Sequence, residues 1–392
     1  MGLHGCYGQR ITVTTLGATR LPSLGWCRLS RFDSDWGNCK MKIITLYNHK
    51  GGVSKTTSTF NLASYLADIG KRVLMVDADP QCNLTEIALA PVIEEFDSRV
   101  VTFATAKIED LPGTGLLDAL NQRIKGDAAF IDLSKVSPYM VRENLYLLRG
   151  SVDLSSIEDD LAEAHVQRMS MRTNLMRTYV AIGDFLTRLA EKEKYDYVFI
   201  DVGPSSGALT RAFFLVCDCF FIPVAPDRFN VQAIGTLARI IDRWMNEHKL
   251  ILDQYIGLGL PIRHGTPAFL GAIVQAFKLY AGKPKPAYQL WMNRIPKEIA
   301  LELKPVMKKH GNGNLYLPSG TKPVAVEIPD FNQLAPLMQE VGKAVFNIIQ
   351  QDTARISESK APWQGNNWTK AEQRMTEYKS RFEQLSKLIP VF

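Results

Sequence analysis
The chain has no C-x-x-C pair among its six cysteines, and its two nearest, Cys217 and Cys219, abut a strand-like Phe220-Phe221-Ile222. That spacing argues against a zinc knuckle or a disulfide framework and fits buried thiols in a reducing cytoplasm. No apolar run reaches the roughly 18–20 residues of a membrane span, so no integral membrane association is expected. Internal repeats and low-complexity blocks are also missing. Neither sign of charge dominates: 46 Lys and Arg face 40 Asp and Glu, and hydrophobic residues make up 46% of the chain. Such values suit an ordinary globular protein and exclude a disordered or fibrous one. At 392 residues, the chain can form one large α/β domain or two modest ones.

Residues 1–40 differ from the rest. They hold half of the cysteines, five basic against two acidic residues, and no apolar signal core. A disordered or spurious extension is expected there, with a transit peptide as the alternative. Met41-Lys42-Ile43 leads directly into a strand, which makes Met41 the expected start. Without the leader the net charge falls from +6 to +3.

From residue 42 onward, strand-like runs alternate with helical stretches. This pattern implies an α/β fold whose mostly parallel, doubly wound sheet is flanked by helices on both faces. The runs are Ile43–Tyr47, Arg72–Val76, Asn144–Leu148, Tyr197–Ile200, Cys219–Val224, Phe269–Val274 and Val324–Ile328. A helix is expected over Leu116–Ile124. A longer helical stretch is expected over Ile157–Glu193, with Val166 and Met169 among its apolar positions. Leu250–Pro267, rich in Gly and Pro, reads as a loop insertion. At the end, Thr369-Lys-Ala-Glu372 has the form of a capping box, and Ala371, Met375, Tyr378, Phe382, Leu385 and Ile389 recur at helical spacing. The expected domains are therefore an α/β body over 41–350 and a linker with an amphipathic helix over 351–392.

The chemistry begins after the first strand. Lys50-Gly51-Gly52-Val53-Ser54-Lys55-Thr56-Thr57 joins that strand to a helical stripe. A glycine turn with Lys-Thr at the helix start cradles a polyphosphate: backbone N–H groups and the helix terminus face the anion, Lys55 neutralises it, and Thr56 can ligate Mg²⁺. Two later strands each end in acid, at Asp77-Ala-Asp79-Pro-Gln-Cys82-Asn83 and at Asp201-Val-Gly203-Pro-Ser205. Ligands of doubly wound sheets sit at such carboxyl ends. A magnesium-bound triphosphate needs an acid near the metal and a group to position the attacking water.

These segments resemble the ParA/MinD family of ATPases. The loop matches KGGVGKTT at seven of eight positions, with Ser54 in place of Gly. If that position needs a positive φ, serine costs about 1 kcal/mol there. Asp77–Asn83 is similar to the family's DxDPQGN segment, with Cys82 for Gly. Tyr195-Asp-Tyr-Val-Phe-Ile-Asp201 is similar to its YDYxxID segment, with Gly203 for the first following Pro. The resemblance covers about residues 42–350. It implies ATP and Mg²⁺ as cofactors, with Asp79 orienting the hydrolytic water, Thr56, Asp77 and Asp201 at the metal, and Asp77 also supporting a switch. It implies further that Lys50 reaches a partner subunit's phosphates in an ATP-bound homodimer. Asp227 would lie beside the base, and Gln275 stands where the family has an adenine-contacting Asn.

Charge suggests what the ATPase serves. Between Lys278 and Lys322 there are nine Lys and Arg but only Glu298 and Glu302 as acids. Lys278, Lys283 and Lys285 cluster, as do Lys304, Lys308 and Lys309, forming a candidate footprint for the phosphate backbone of double-stranded DNA, read without sequence preference. The resemblance then implies a cytoplasmic, nucleoid-associated partition ATPase, slow until stimulated by a DNA-bound adaptor of the ParB type. A MinD-like membrane switch needs a basic amphipathic tail, and the tail here mixes Lys, Arg and Glu. A small-molecule ligase or kinase on the same scaffold has no need of Lys50. A metal-cluster carrier would need paired cysteines.

Overall fold
The computed structural model describes residues 41–99, 108–126, 128–318, 320 and 322–390. The N-terminal forty residues, with the extension expected there, lie outside the described residues. In chain order the main elements begin with β1 (Lys42–Leu46), α1 (Lys55–Asp68), β2 (Val73–Ala78), α2 (Asn83–Arg99) and α3 (Leu116–Ile124). They continue with β3 (Tyr139–Arg142), β4 (Leu145–Leu148), α4 (Glu158–Val166), α5 (Thr173–Glu193), β5 (Tyr197–Val202) and α6 (Ala208–Leu215). Next come β6 (Cys219–Val224), α7 (Arg228–Gly257), β7 (Ala268–Gln275), β8 (Leu279–Tyr280), β9 (Lys283–Pro284), α8 (Pro286–Met292) and α9 (Ile295–Glu298). The last are α10 (Lys304–Gly311), β10 (Val324–Ile328), α11 (Leu334–Val341) and α12 (Asn366–Ser386).

Eight strands form one sheet in the order β10-β7-β6-β1-β5-β2-β4-β3, and only the edge strand β3 runs antiparallel to its neighbour. Every residue of β1, β2, β5, β6 and β7 is buried. Continuous burial, rather than alternation, means that both faces of the sheet are covered, as a parallel sheet requires. The register sets Asp77 of β2 directly beside Asp201 of β5. With β1 between β5 and β6, the winding reverses at β1, and its carboxyl end opens a crevice.

Three expectations about elements need correction. Leu250–Gly257 is not loop but the last part of α7: His248, Ile251 and Tyr255 continue the buried stripe of Trp244 and Met245, and the chain leaves the helix only at Leu258. The stretch 157–193 is two helices, broken where Met171 adopts φ 59, so Val166 and Met169 are exposed at the break instead of joining the core. The tail helix starts at Asn366, three residues before the capping box, with Gly365 at φ 54 as its N-cap. Thr369 Oγ1 instead donates back to the Gly365 carbonyl.

The tail helix lays its apolar stripe on the body. Ala371, Met375, Tyr378, Phe382, Leu385 and Ile389 are buried, and α12 packs against α1 and β10. Each large side chain so buried contributes about 1.5–3 kcal/mol. Tyr378 stacks edge-on against Phe331, and its hydroxyl donates to the Asp330 carbonyl at 2.9 Å. On α1 itself, the buried Asn61 accepts from the Val345 amide at 2.7 Å, joining the helix to the chain after α11.

Candidate functional site
The loop between β1 and α1 opens to solvent at Lys50, Gly51 and Gly52 and turns inward at Val53. Gly52 sits at φ 70, and Ser54 at φ 57, ψ 35, which is the left-handed conformation that glycine enters freely and serine does not. The position does need a positive φ, so serine costs about 1 kcal/mol. At the loop's entry, Asn48 Nδ2 donates to the Pro223 carbonyl of β6 at 2.8 Å, while its Oδ1 accepts from Lys50 N at 3.0 Å. The Lys55 side chain folds back under the loop, and its Nζ donates to the Lys50 carbonyl at 3.2 Å. Burial pushes the Lys55 pKa down, opposed by the nearby Asp201 and Asp79 carboxylates. The Lys50 ammonium, by contrast, is exposed and makes no ion pair or hydrogen bond among the described residues.

The carboxylates divide the work between open and closed oxygens. Thr56 Oγ1 donates to Asp201 Oδ2 at 2.6 Å, while Asp201 Oδ1 is buried with no hydrogen-bond partner among the described residues. Burial first, and then the neighbouring Asp77, raise the Asp201 pKa to about 8. Burial likewise raises Asp77 to about 7, against hydrogen bonds from Thr85. Both Asp77 oxygens are engaged: Oδ2 accepts from the Thr85 amide and hydroxyl at 2.8 and 2.6 Å, and Oδ1 from Asp79 N at 3.3 Å. Asp77 therefore braces the turn that carries Asp79, and Thr85 Oγ1 extends the brace to the Gly150 amide at 2.8 Å. Asp79 is buried against Gly203, where an added Cβ would lie 3.1 Å from its carboxylate. Gly203, the departure from proline noted in the sequence, spares Asp79 that tight contact.

An unpaired buried carboxylate oxygen beside a threonine hydroxyl suits a hard cation. No group of three or more His, Cys, Asp or Glu is arranged to hold a metal among the described residues. A cation at Thr56 and Asp201 must then complete its shell with phosphate oxygens and water, as Mg²⁺ commonly does. Such an ion would also relieve the repulsion between the two buried aspartates.

The remaining sequence candidates are spread more widely. Asp227 caps α7, its Oδ1 accepting from Asn230 N at 2.9 Å and its Oδ2 from the Asn230 side chain at 2.7 Å. Gln275 is buried at the end of β7, and both ends of its amide are bound to the loop and to α1. Each end of the amide thus has a partner inside the protein, and the residue is 3% exposed. Lys278, Lys283 and Lys285 surround the β8–β9 hairpin, just past the carboxyl end of β7. Lys304, Lys308 and Lys309 lie on α10, where Lys309 pairs with Asp242 at 2.8 Å and Lys304 sits 5.5 Å above the Tyr316 ring. Asn48 and Thr85 are the functional supports that sequence reading missed. A polar residue flanking the loop and a hydroxyl just after the Asp77–Asn83 segment were the available signals. A separate cavity lined by Leu161, His165, Tyr179, Arg211 and His248 shares none of the loop or carboxylate residues.

The family model described as an AAA domain matches residues 41–253, a span that includes the loop and both acidic strand ends. The chain belongs to the ParA/MinD-type family of P-loop ATPases. Across 231 residues it is 32% identical to the sporulation initiation inhibitor protein Soj of Bacillus subtilis, covering 56% of this chain and 77% of Soj. It is 28% identical over 204 residues to the chromosome partitioning protein ParA of Caulobacter vibrioides, covering 52% of this chain and 63% of that one. Among solved structures, protein DIP2308 of Corynebacterium diphtheriae superposes with a TM-score of 0.58 at 27% identity, over 77% of this chain and 97% of its own. Family membership carries nucleotide hydrolysis as its general chemistry. No helix among the described residues is long and apolar enough to cross a membrane.

Proposed function
We propose that this ParA-type ATPase is an ATP-dependent dimerising switch that binds double-stranded DNA without sequence preference and drives plasmid or chromosome partitioning. The observation that carries the proposal is Lys50: an exposed ammonium with no partner among the described residues, at the mouth of a site whose other charged groups are buried. A lysine whose backbone is pinned by Asn48 and Lys55 while the residue stays exposed supports a contact with phosphates from outside its own subunit. In the facing copy it would stabilise charge as an arginine finger does.

Within the subunit, the backbone of Gly51–Thr57 and the buried Lys55 would hold the triphosphate and Thr56 and Asp201 would hold Mg²⁺, while Asp77 braces the turn that carries Asp79. Bound Mg²⁺ supplies charge neutralisation between the phosphate oxygens. Asp79, held against Gly203, positions the attacking water. With Lys55 the buried cation of the loop and Lys50 left for a facing copy, the isolated subunit turns over slowly. A DNA-bound adaptor of the ParB type accelerates it, and the protein acts in the cytoplasm on the nucleoid. Residues 41–350 form the ATPase body in this reading, with 351–392 appended. The buried apolar face of α12 argues against a MinD-like role, which would need that face free for a membrane surface.

Gel filtration with ATP, ADP or no nucleotide, each with and without duplex DNA, tests the proposal. A dimer with ATP alone is expected. Co-elution with DNA should require ATP and weaken steeply between about 50 and 200 mM salt. A monomer under every condition overturns it, and a ligase or kinase that turns over only with a second substrate then becomes the better reading.

A further inference from the structure
Gln275 ends β7 at 3% exposure, and both ends of its side-chain amide are bound to the phosphate loop and the first turn of α1. Its Nε2 donates to the Val53 carbonyl, and its Oε1 accepts from Ser58 Oγ at 2.7 Å. Between these two partners lies Ser54, the left-handed serine, whose own carbonyl accepts from Ser58 N at 3.0 Å. One amide thus grips the chain on both sides of the strained residue. The far end of the loop hangs from a second amide, that of Asn48 on the Pro223 carbonyl.

From this geometry we infer that Gln275 is a positioning residue for the phosphate loop: it holds Ser54 in its left-handed conformation and does not read the nucleotide base. The inference rests on the nucleotide-site reading above. The site demands a donor toward a carbonyl and an acceptor toward a hydroxyl at the same time. A carboxylate loses the donor, and a methyl group loses both. An asparagine falls short by one methylene, about 1.5 Å of carbon–carbon bond, and cannot span the pair. Glycine at position 54 would need no such hold, because it enters positive φ without penalty. Ser54 and Gln275, two departures from the family pattern, are therefore complementary.

The test measures binding of ATP and of inorganic tripolyphosphate, each with Mg²⁺, by calorimetry on the full chain. The variants are Gln275→Ala, Gln275→Glu, Ser58→Ala, Ser54→Gly and the pair Gln275→Ala with Ser54→Gly. Gln275→Ala and Gln275→Glu are expected to weaken both ligands by the same factor, about tenfold, and Ser58→Ala by about threefold. Combined with Ser54→Gly, the loss from Gln275→Ala should shrink to under about threefold, a coupling that independent sites do not show. Ser58→Ala keeps the proposal testable if the Gln275 variants fail to fold. A loss confined to ATP makes Gln275 a base contact and overturns the inference. Equal losses with and without Ser54→Gly reduce it to general packing and overturn it too. If the parent binds neither ligand, the nucleotide reading itself falls. If the parent binds both and Gln275→Ala binds as tightly, only this inference falls.

Discussion

The crevice at the carboxyl end of β1 and the segment from 276 to 322 both carry candidate function, yet they are built in opposite ways. In the crevice Lys55, Asp77, Asp79, Asp201 and Gln275 are buried, and hydrogen bonds from Asn48, Thr56, Ser58 and Thr85 fix the loop and the aspartates. In the basic segment, short helices on either side of a π-helical turn at Ile299–Leu303 and a two-residue-per-strand hairpin carry lysines on the surface. Handling a phosphoryl group requires atoms at fixed places, so each residue matters singly. Attracting a polyanion requires only summed charge, so residues there are interchangeable. Removing a charge at the phosphates should then have a large effect from a single crevice residue, whereas substitutions on the basic segment should act by degrees.

The sharpest way to break that contrast is Lys55→Ala, which removes the buried ammonium beneath the loop. ATP affinity should fall at least about 100-fold, near 2.7 kcal/mol, as read by calorimetry; a loss under about threefold would mean that the crevice tolerates change like a surface. Asp79→Ala should leave ATP affinity within about threefold while slowing hydrolysis at least about 100-fold, so that the dimer persists in gel filtration. Hydrolysis at the parent rate would remove Asp79 from its role. Smaller and graded effects belong to the lysines. Reversing Lys278, Lys283 and Lys285 to Glu should weaken DNA binding more than reversing Lys304, Lys308 and Lys309, because Lys309 is already neutralised by Asp242. Every DNA phosphate that a reversed lysine no longer neutralises should lower the salt slope by about 0.9, with ATP affinity unchanged in both sets. Unchanged DNA affinity in both would make the segment a solvated face.

The least dramatic test uses pH and a region outside both sites. Burial is the largest cause lowering the pKa of His165 and of His248 to about 4. In the unfolded chain histidine titrates near 6.5. Between these values the unfolded state binds protons that the folded state refuses, so stability falls as pH drops from about 6.5 toward 4 and levels below. Above pH 6.5 the two groups contribute no slope. Thermal unfolding at several pH values checks this, and replacing both histidines with Gln should flatten the profile.

Much of the crevice was legible because its chemistry is local in sequence. The loop, the acid at the end of β2 and the acid at the end of β5 each follow an apolar run, and an α/β alternation puts such ends on one edge. Even the cost at Ser54 could be stated in advance, since only φ at one residue was at issue. What stayed hidden depends on pairs far apart in the chain. Gln275 meets Val53 across 222 positions, and Asn48 meets Pro223 across 175. No spacing rule reports such a pair, and an amide at a strand end suits a ligand as well as a loop. Leu250–Gly257 was misread for a different reason: glycines and prolines just beyond it suggested a loop, while the stripe through Ile251 and Tyr255 kept the helix going.

The helix that begins with Lys55 is held along its flank as well as at its start. α12 lies along it, and Asn61 in its middle is bonded to the Val345 amide. Any tilt of α1 as its first turn grips or lets go of a phosphate must drag the C-terminal elements with it. The C-terminal elements should therefore respond to the state of the crevice, and a reporter fixed to α12 is expected to register the nucleotide from a distance.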